Sequence, residues 1–231
     1  MARFTRLQTL NAIMEDGLVP LFYHPDVEVA KQVVAAVAAG GSRVLEFTNR
    51  GDFAFQVYTE LARHCARETP GMILGVGSVV DAPTASMYLA SGANFIVGPN
   101  LNADVARVCN RRKVAYLPGC ATPTEITSAE ELGVEIVKIF PGETVGGPDF
   151  VKAELAPCPW TCIMPTGGVD ATEESIRAWI KAGAVALGMG SKLIRREWVA
   201  AGDWESITQT VRRVLTWIKE ARSGAPPAQR A

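Results

Sequence analysis

The sequence predicts one α/β domain, a single TIM (β/α)8 barrel preceded by an extra N-terminal helix. Three observations carry this reading. Short apolar, β-rich runs alternate with longer helical patterns from Leu18 onward, the signature of repeated βα units and a parallel sheet. The strand ends recur about every two dozen residues, which suits a compact barrel better than a doubly wound open sheet. Several helical patterns stop on glycine just before a strand starts, at Ala39-Gly40-Gly41, Ser91-Gly92, Leu132-Gly133 and Ala182-Gly183, because glycine adopts the left-handed turn that ends a helix.

Taken in order, residues 4–16 space Phe4, Leu7, Leu10, Ile13 and Met14 as an amphipathic helix. They lack the unbroken apolar core of a signal peptide. Candidate strands follow at 19–23, 44–47, 73–76, 95–97, 115–117, 136–139, 162–165 and 184–187. Helical patterns lie between them at 27–39, 53–67, 83–91, 103–111, 123–132, 150–155 and 173–181, with a last one at 204–221. Residues 1–222 read as the barrel, and the Ala- and Pro-rich stretch 223–231 as a disordered tail. The stripe Trp204, Ile207, Val211, Leu215 and Ile218 reads as packing or oligomer contact.

The formal charge is −1 over 231 residues with acids and bases interspersed, so no footprint for nucleic acid or an anionic membrane is expected. No apolar run reaches the length of a membrane span. A small-molecule substrate is the better expectation. Five cysteines without a C-x-x-C pair read as reduced thiols of a cytoplasmic protein. Cys158 and Cys162 have no further cysteine or histidine beside them for zinc. With His24 and His64 the only histidines and no carboxylates gathered at strand ends, metal-dependent chemistry is not expected.

Lys138 lies inside an apolar strand, Ile136-Val137-Lys138-Ile139. Burial disfavours the ammonium and favours the neutral amine, which attacks carbonyl carbon. A lone strand lysine also has quieter uses, snorkelling to solvent or pairing with a carboxylate. Strand alternation puts Ile136, Lys138 and Phe140 on one side, with Val137 and Ile139 on the other. Val44 and Glu46 likewise share a face, so Glu46 can meet Lys138 across the mouth of a barrel, as proton carrier or as ion-pair partner. Arg50 lies just beyond, its planar fork suited to a carboxylate. Thr166-Gly167-Gly168 and Gly188-Met189-Gly190-Ser191 follow the last two strands, where barrels hold phosphate on backbone N–H groups.

Together Val44-Leu45-Glu46-Phe47-Thr48-Asn49-Arg50, Gly75-Val76-Gly77-Ser78, Pro118-Gly119-Cys120-Ala121-Thr122-Pro123-Thr124-Glu125, Val137-Lys138-Ile139-Phe140-Pro141 and Pro165-Thr166-Gly167-Gly168-Val169 resemble the 2-keto-3-deoxy-6-phosphogluconate (KDPG) / 4-hydroxy-2-oxoglutarate (KHG) aldolase family. The resemblance runs in order from about Leu18 to Leu193. It implies a metal-independent class I aldolase, a homotrimer without cofactor, that cleaves a 2-keto-4-hydroxy acid to pyruvate and an aldehyde, glyceraldehyde 3-phosphate or glyoxylate. By the same resemblance Lys138 forms the Schiff base and Glu46 moves protons. Arg50 and Ser78 hold the carboxylate, Phe140 packs beside the lysine, and Thr166, Gly167, Gly168, Gly190 and Ser191 take the far end of the substrate. Departures include Gly98-Pro99-Asn100 for Ser-Pro-Gly, Gly142 after the Phe-Pro, and Lys192 where tryptophan is common. Two readings of other kinds stand beside this one: a sugar-phosphate epimerase or isomerase barrel, which would share the late-strand glycines but has no use for a buried lysine, and a non-catalytic keto-acid binder.

Overall fold

The computed structural model describes residues 2–223. Helix α1 (Arg6–Asp16) starts in a capping box between Thr5 and Gln8 and stops at Gly17, whose φ of 68° is left-handed. Strands and helices then alternate: β1 (Leu18–Phe22), α2 (Val27–Ala39), β2 (Val44–Thr48), α3 (Ala54–Glu68), β3 (Ile73–Gly77), α4 (Ala82–Ala90), β4 (Phe95–Val97), α5 (Ala103–Arg112), β5 (Ala115–Leu117) and β6 (Gly119–Cys120). The second half continues with α6 (Pro123–Glu131), β7 (Val137–Ile139), α7 (Gly147–Leu155), β8 (Ile163–Pro165), α8 (Glu173–Lys181), β9 (Leu187–Met189), α9 (Arg196–Ala201) and α10 (Trp204–Ser223). Of the predicted tail, Ser223 ends α10 and 224–231 lie outside the described residues.

Every ladder is parallel. A six-stranded sheet, β5-β4-β3-β2-β1-β9, forms a half-barrel, and a three-stranded sheet, β6-β7-β8, stands beside it. In place of the expected single eight-stranded barrel the ladders form two sheets, and the fifth predicted strand is broken at Pro118. Proline has no N–H to donate, and the chain changes partner around it. Gly98 N–H donates to Leu117 O at 3.1 Å, whereas Lys138 N–H donates to Pro118 O at 3.0 Å. At the other junction Thr166 and Gly188 form an isolated parallel bridge, and Val185 N–H reaches Ile163 O at 2.9 Å.

Two cores result. The larger lies between strands and helices and takes Leu45, Phe47, Leu74, Ile96, Val137, Ile139 and Ile163. The smaller collects the opposite strand faces, Val19, Val44, Ile73, Phe95, Ala115, Ile136, Met164 and Ala186, together with Leu10 and Ile13 of α1. The alternation read from the sequence therefore holds on β7: Val137 and Ile139 pack toward the helices, and Ile136 lies in the inner core. The α10 stripe is packing within the chain, since Ile207, Val211 and Ile218 are buried and α10 contacts α2 and α8. Each such side chain contributes about 1.5–3 kcal/mol by leaving water.

Candidate active site

Glu46 and Lys138 continue the inner faces of Val44 and Ile136, two residues farther toward the C-terminal strand ends. Both are nearly inaccessible, at 2 % and 6 % exposure. Burial pulls the Lys138 ammonium below its ordinary pKa; the Glu46 charge opposes this, and the Arg50 charge adds to it. Burial likewise pushes the Glu46 carboxyl up, against the opposing charges of Lys138 and Arg50. Desolvation outweighs mutual attraction on both partners, so the pair is drawn toward neutral amine and neutral acid. Lys138 Nζ lies 4.6 Å from the centroid of the Phe140 ring, a position that favours positive charge on that nitrogen.

Glu46 has room because position 77 on β3 is glycine. A Cβ there would overlap Glu46 Oε1. Thr48, at the end of β2, ties that strand to β1 by donating to Phe22 O at 3.2 Å. Arg50 follows, exposed, and its Nε donates to Ser78 Oγ at 3.3 Å. Ser78 has a left-handed φ of 60°, a conformation that costs a serine about 1 kcal/mol and that presents its hydroxyl to the arginine.

At the same strand ends lies a cavity of about 770 Å³. Arg50, Phe140, Thr166, Gly167, Gly168, Gly190 and Ser191, all singled out in the sequence, line it. Lys138 and Glu46 are not in the lining, but Phe140 and Thr48, two residues beyond each, are, and Ser78 touches the site through Arg50. Gly167 and Gly168 have φ of 87° and 80°, which only glycine adopts without strain. That turn carries the β8 end onto the β7 loop, where Gly142 N–H donates to Thr166 O and Glu143 N–H to Gly167 O at 2.9 and 3.0 Å. Thr166 Oγ1 is buried without a hydrogen-bond partner. Lys192 also lines the cavity, but its ammonium is 3.2 Å from Asp170 Oδ1 in a half-exposed pair.

Two walls escaped the sequence reading. One is Leu21, Phe22, Tyr23 and His24, at the end of β1. The strand-end rule that found Arg50 and Thr166 would have found Tyr23 and His24 had it been applied to the first strand. The other is Ile194, Arg196, Val199 and Ala200 on and before α9, a six-residue helix with no buried residue and hence no apolar period to read. Among the described residues no cluster of histidine, cysteine and carboxylate could hold a metal ion, and no helix is long and apolar enough to cross a membrane.

Parallel α/β architecture with a cavity at the C-terminal strand ends, where a buried amine and acid also lie, defines a small-molecule enzyme. Residues 10–210 match the family described as Aldolase: KDPG and KHG aldolase, and the chain belongs to that family. A 2-dehydro-3-deoxy-phosphogluconate aldolase of Pseudoalteromonas atlantica is 30% identical over 215 residues, 93% of this chain and 97% of the relative. The KHG/KDPG aldolase of Escherichia coli K12 is 28% identical, covering 90% and 96%. The fold is shared with a KDPG aldolase from Legionella pneumophila solved with pyruvate captured as a covalent carbinolamine, at a TM-score of 0.80 and 24% identity over 88% of this chain and 96% of that one.

Proposed function

We propose that the chain is a metal-independent class I aldolase that reversibly cleaves a 2-keto-4-hydroxy acid, KDPG or KHG, to pyruvate and an aldehyde. The observation that carries this reading is Lys138: inward, almost wholly buried, drawn toward the neutral amine, and electrostatically coupled to Glu46. The names of the relatives point to the same reaction.

The residues divide the work as follows. Arg50, steadied by Ser78, binds the carboxylate, which places C2 over Lys138. The neutral amine adds to the C2 carbonyl to give a carbinolamine. Glu46, holding a proton because burial raises its carboxyl, protonates the departing hydroxyl, and water leaves an iminium on Nζ. The Phe140 ring favours that cation. Glu46, now a carboxylate, takes the C4-hydroxyl proton as the C3–C4 bond breaks, and the bonding pair moves toward the iminium to form an enamine. The aldehyde departs; protonation at C3 and hydrolysis then return pyruvate and free Lys138. Thr166, Gly167, Gly168, Gly190 and Ser191 hold the far end, with the buried Thr166 hydroxyl free to bond a ligand oxygen.

The strand positions fit a closed eight-membered TIM barrel, with β5 and β6 counted as one broken strand and the Thr166–Gly188 bridge joining β8 to β9. Residues up to 222 make one domain. The family resemblance supports a homotrimer as the assembly, and a cytoplasmic setting fits the buried thiols Cys65, Cys109 and Cys120.

Borohydride reduction in the presence of pyruvate tests the reading. It should add one reduced pyruvyl group, at Lys138. An adduct elsewhere, or unchanged turnover in Lys138→Ala, would overturn it; otherwise that variant should lose roughly four orders of magnitude or more of activity.

A further inference from the structure

The scheme above leaves the β1 wall of the cavity without a task. Strand β1 pairs with β2, which leads to Arg50, and with β9, which leads to Gly190 and Ser191. The turn after β1 therefore lies between the two ends of the proposed substrate, and it puts Tyr23 and His24 on the cavity wall. His24 already has a partner, since its Nδ1 accepts the Asp26 N–H at 3.1 Å.

Tyr23 is half-buried and held rather than loose. Its ring lies 5.7 Å from that of Phe47 at a 58° tilt. Its tip rests on Gly51, the residue after Arg50, where any Cβ would overlap the phenolic oxygen. The hydroxyl itself makes no hydrogen bond within the protein among the described residues. A fixed, neutral donor and acceptor on a cavity wall is suited to an alcohol.

We infer that Tyr23 is a specificity-determining residue that hydrogen-bonds a hydroxyl on the aldehyde half of the substrate and so selects α-hydroxyaldehydes. The inference rests on the aldolase reading. With the carboxylate at Arg50 and the far end between Gly167 and Ser191, the atoms that face the β1 turn are those beyond the cleaved bond. Beyond C4 a sugar acid carries a further hydroxyl, on C5; the short oxo acid carries a carboxylate there instead.

The test is Tyr23→Phe, which keeps the ring on Phe47 and removes only the hydroxyl. Addition of pyruvate to glyceraldehyde is compared with addition to 3-hydroxypropanal, which lacks the 2-hydroxyl. The ratio of the two kcat/KM values should fall about tenfold in the variant, the worth of one hydrogen bond to a substrate hydroxyl. An unchanged ratio overturns the inference, whether both rates fall together, as they would if Tyr23 only props the Arg50 loop, or neither falls. Pyruvate trapping by borohydride in the wild-type protein separates the two failures. A trapped lysine with an unchanged ratio rejects Tyr23 alone, and no trapped lysine rejects the aldolase reading and this inference with it.

Discussion

Lys138 and Glu46 are drawn to neutrality from opposite sides: burial lowers the pKa of the amine and raises that of the acid, and in neither does the partner's charge undo the shift. A salt bridge in water does the reverse. The pair therefore holds a nucleophile and a proton together, where an exposed pair would hold two charges.

The sign of this coupling can be tested by pH. Pyruvate trapping on the wild-type protein should rise with pH to a midpoint below the ordinary lysine value of 10.5. Glu46→Gln keeps the shape of the protonated acid but has no proton to give, so trapping should still occur, with a midpoint below 10.5, but more slowly. Turnover in that variant should fall roughly 10²- to 10⁴-fold, the usual worth of a positioned acid–base group. The trapped lysine thus persists while turnover collapses.

Arg50→Gln should move the trapping midpoint up, because the Arg50 charge lowers the Lys138 pKa. Its larger effect should be on KM for the keto acid, up by roughly ten- to a hundredfold on loss of a charged carboxylate partner. Steady-state kinetics at fixed pH separate the two effects.

Thr166→Val should divide stability from function. The buried Thr166 Oγ1 has no partner, and removing an unsatisfied hydroxyl should stabilise the free protein by about 1 kcal/mol, read from denaturant unfolding. Affinity for substrate should drop severalfold, roughly the worth of one hydrogen bond.

Gly77→Ala places a methyl group where the Glu46 carboxylate lies. The overpacking should cost roughly 1–3 kcal/mol of stability. The displaced acid should cost about 10²-fold in kcat, with pyruvate trapping retained. Equal loss of both would mean that Lys138, rather than Glu46, had moved.

Much of this arrangement was legible in the sequence because strands bury two faces with a period of two. Ile136 in the inner core and Val137 and Ile139 in the outer one are what alternation predicts, and the inward place of Lys138 follows. Ends were harder. The last strand was expected at 184–187 and is found at Leu187–Met189, because Ala184 and Ala186 are buried in the turn before the ladder begins. Helix α7 starts at Gly147 instead of the expected Phe150: Pro148 in its first turn was a start signal that the apolar pattern alone did not show. The partner change at Pro118 depends on neighbours far along the chain, which no local pattern encodes.

Helix α9 builds one wall of the cavity from a segment beyond β9. The groups proposed for bond breaking stand on β2 and β7, rooted in the inner core, whereas α9 buries none of its residues. Such a division of labour makes α9 a replaceable facing: Arg196, Val199 and Ala200 can be exchanged to admit bulkier or less acidic aldehydes while the amine and its acid stay anchored elsewhere.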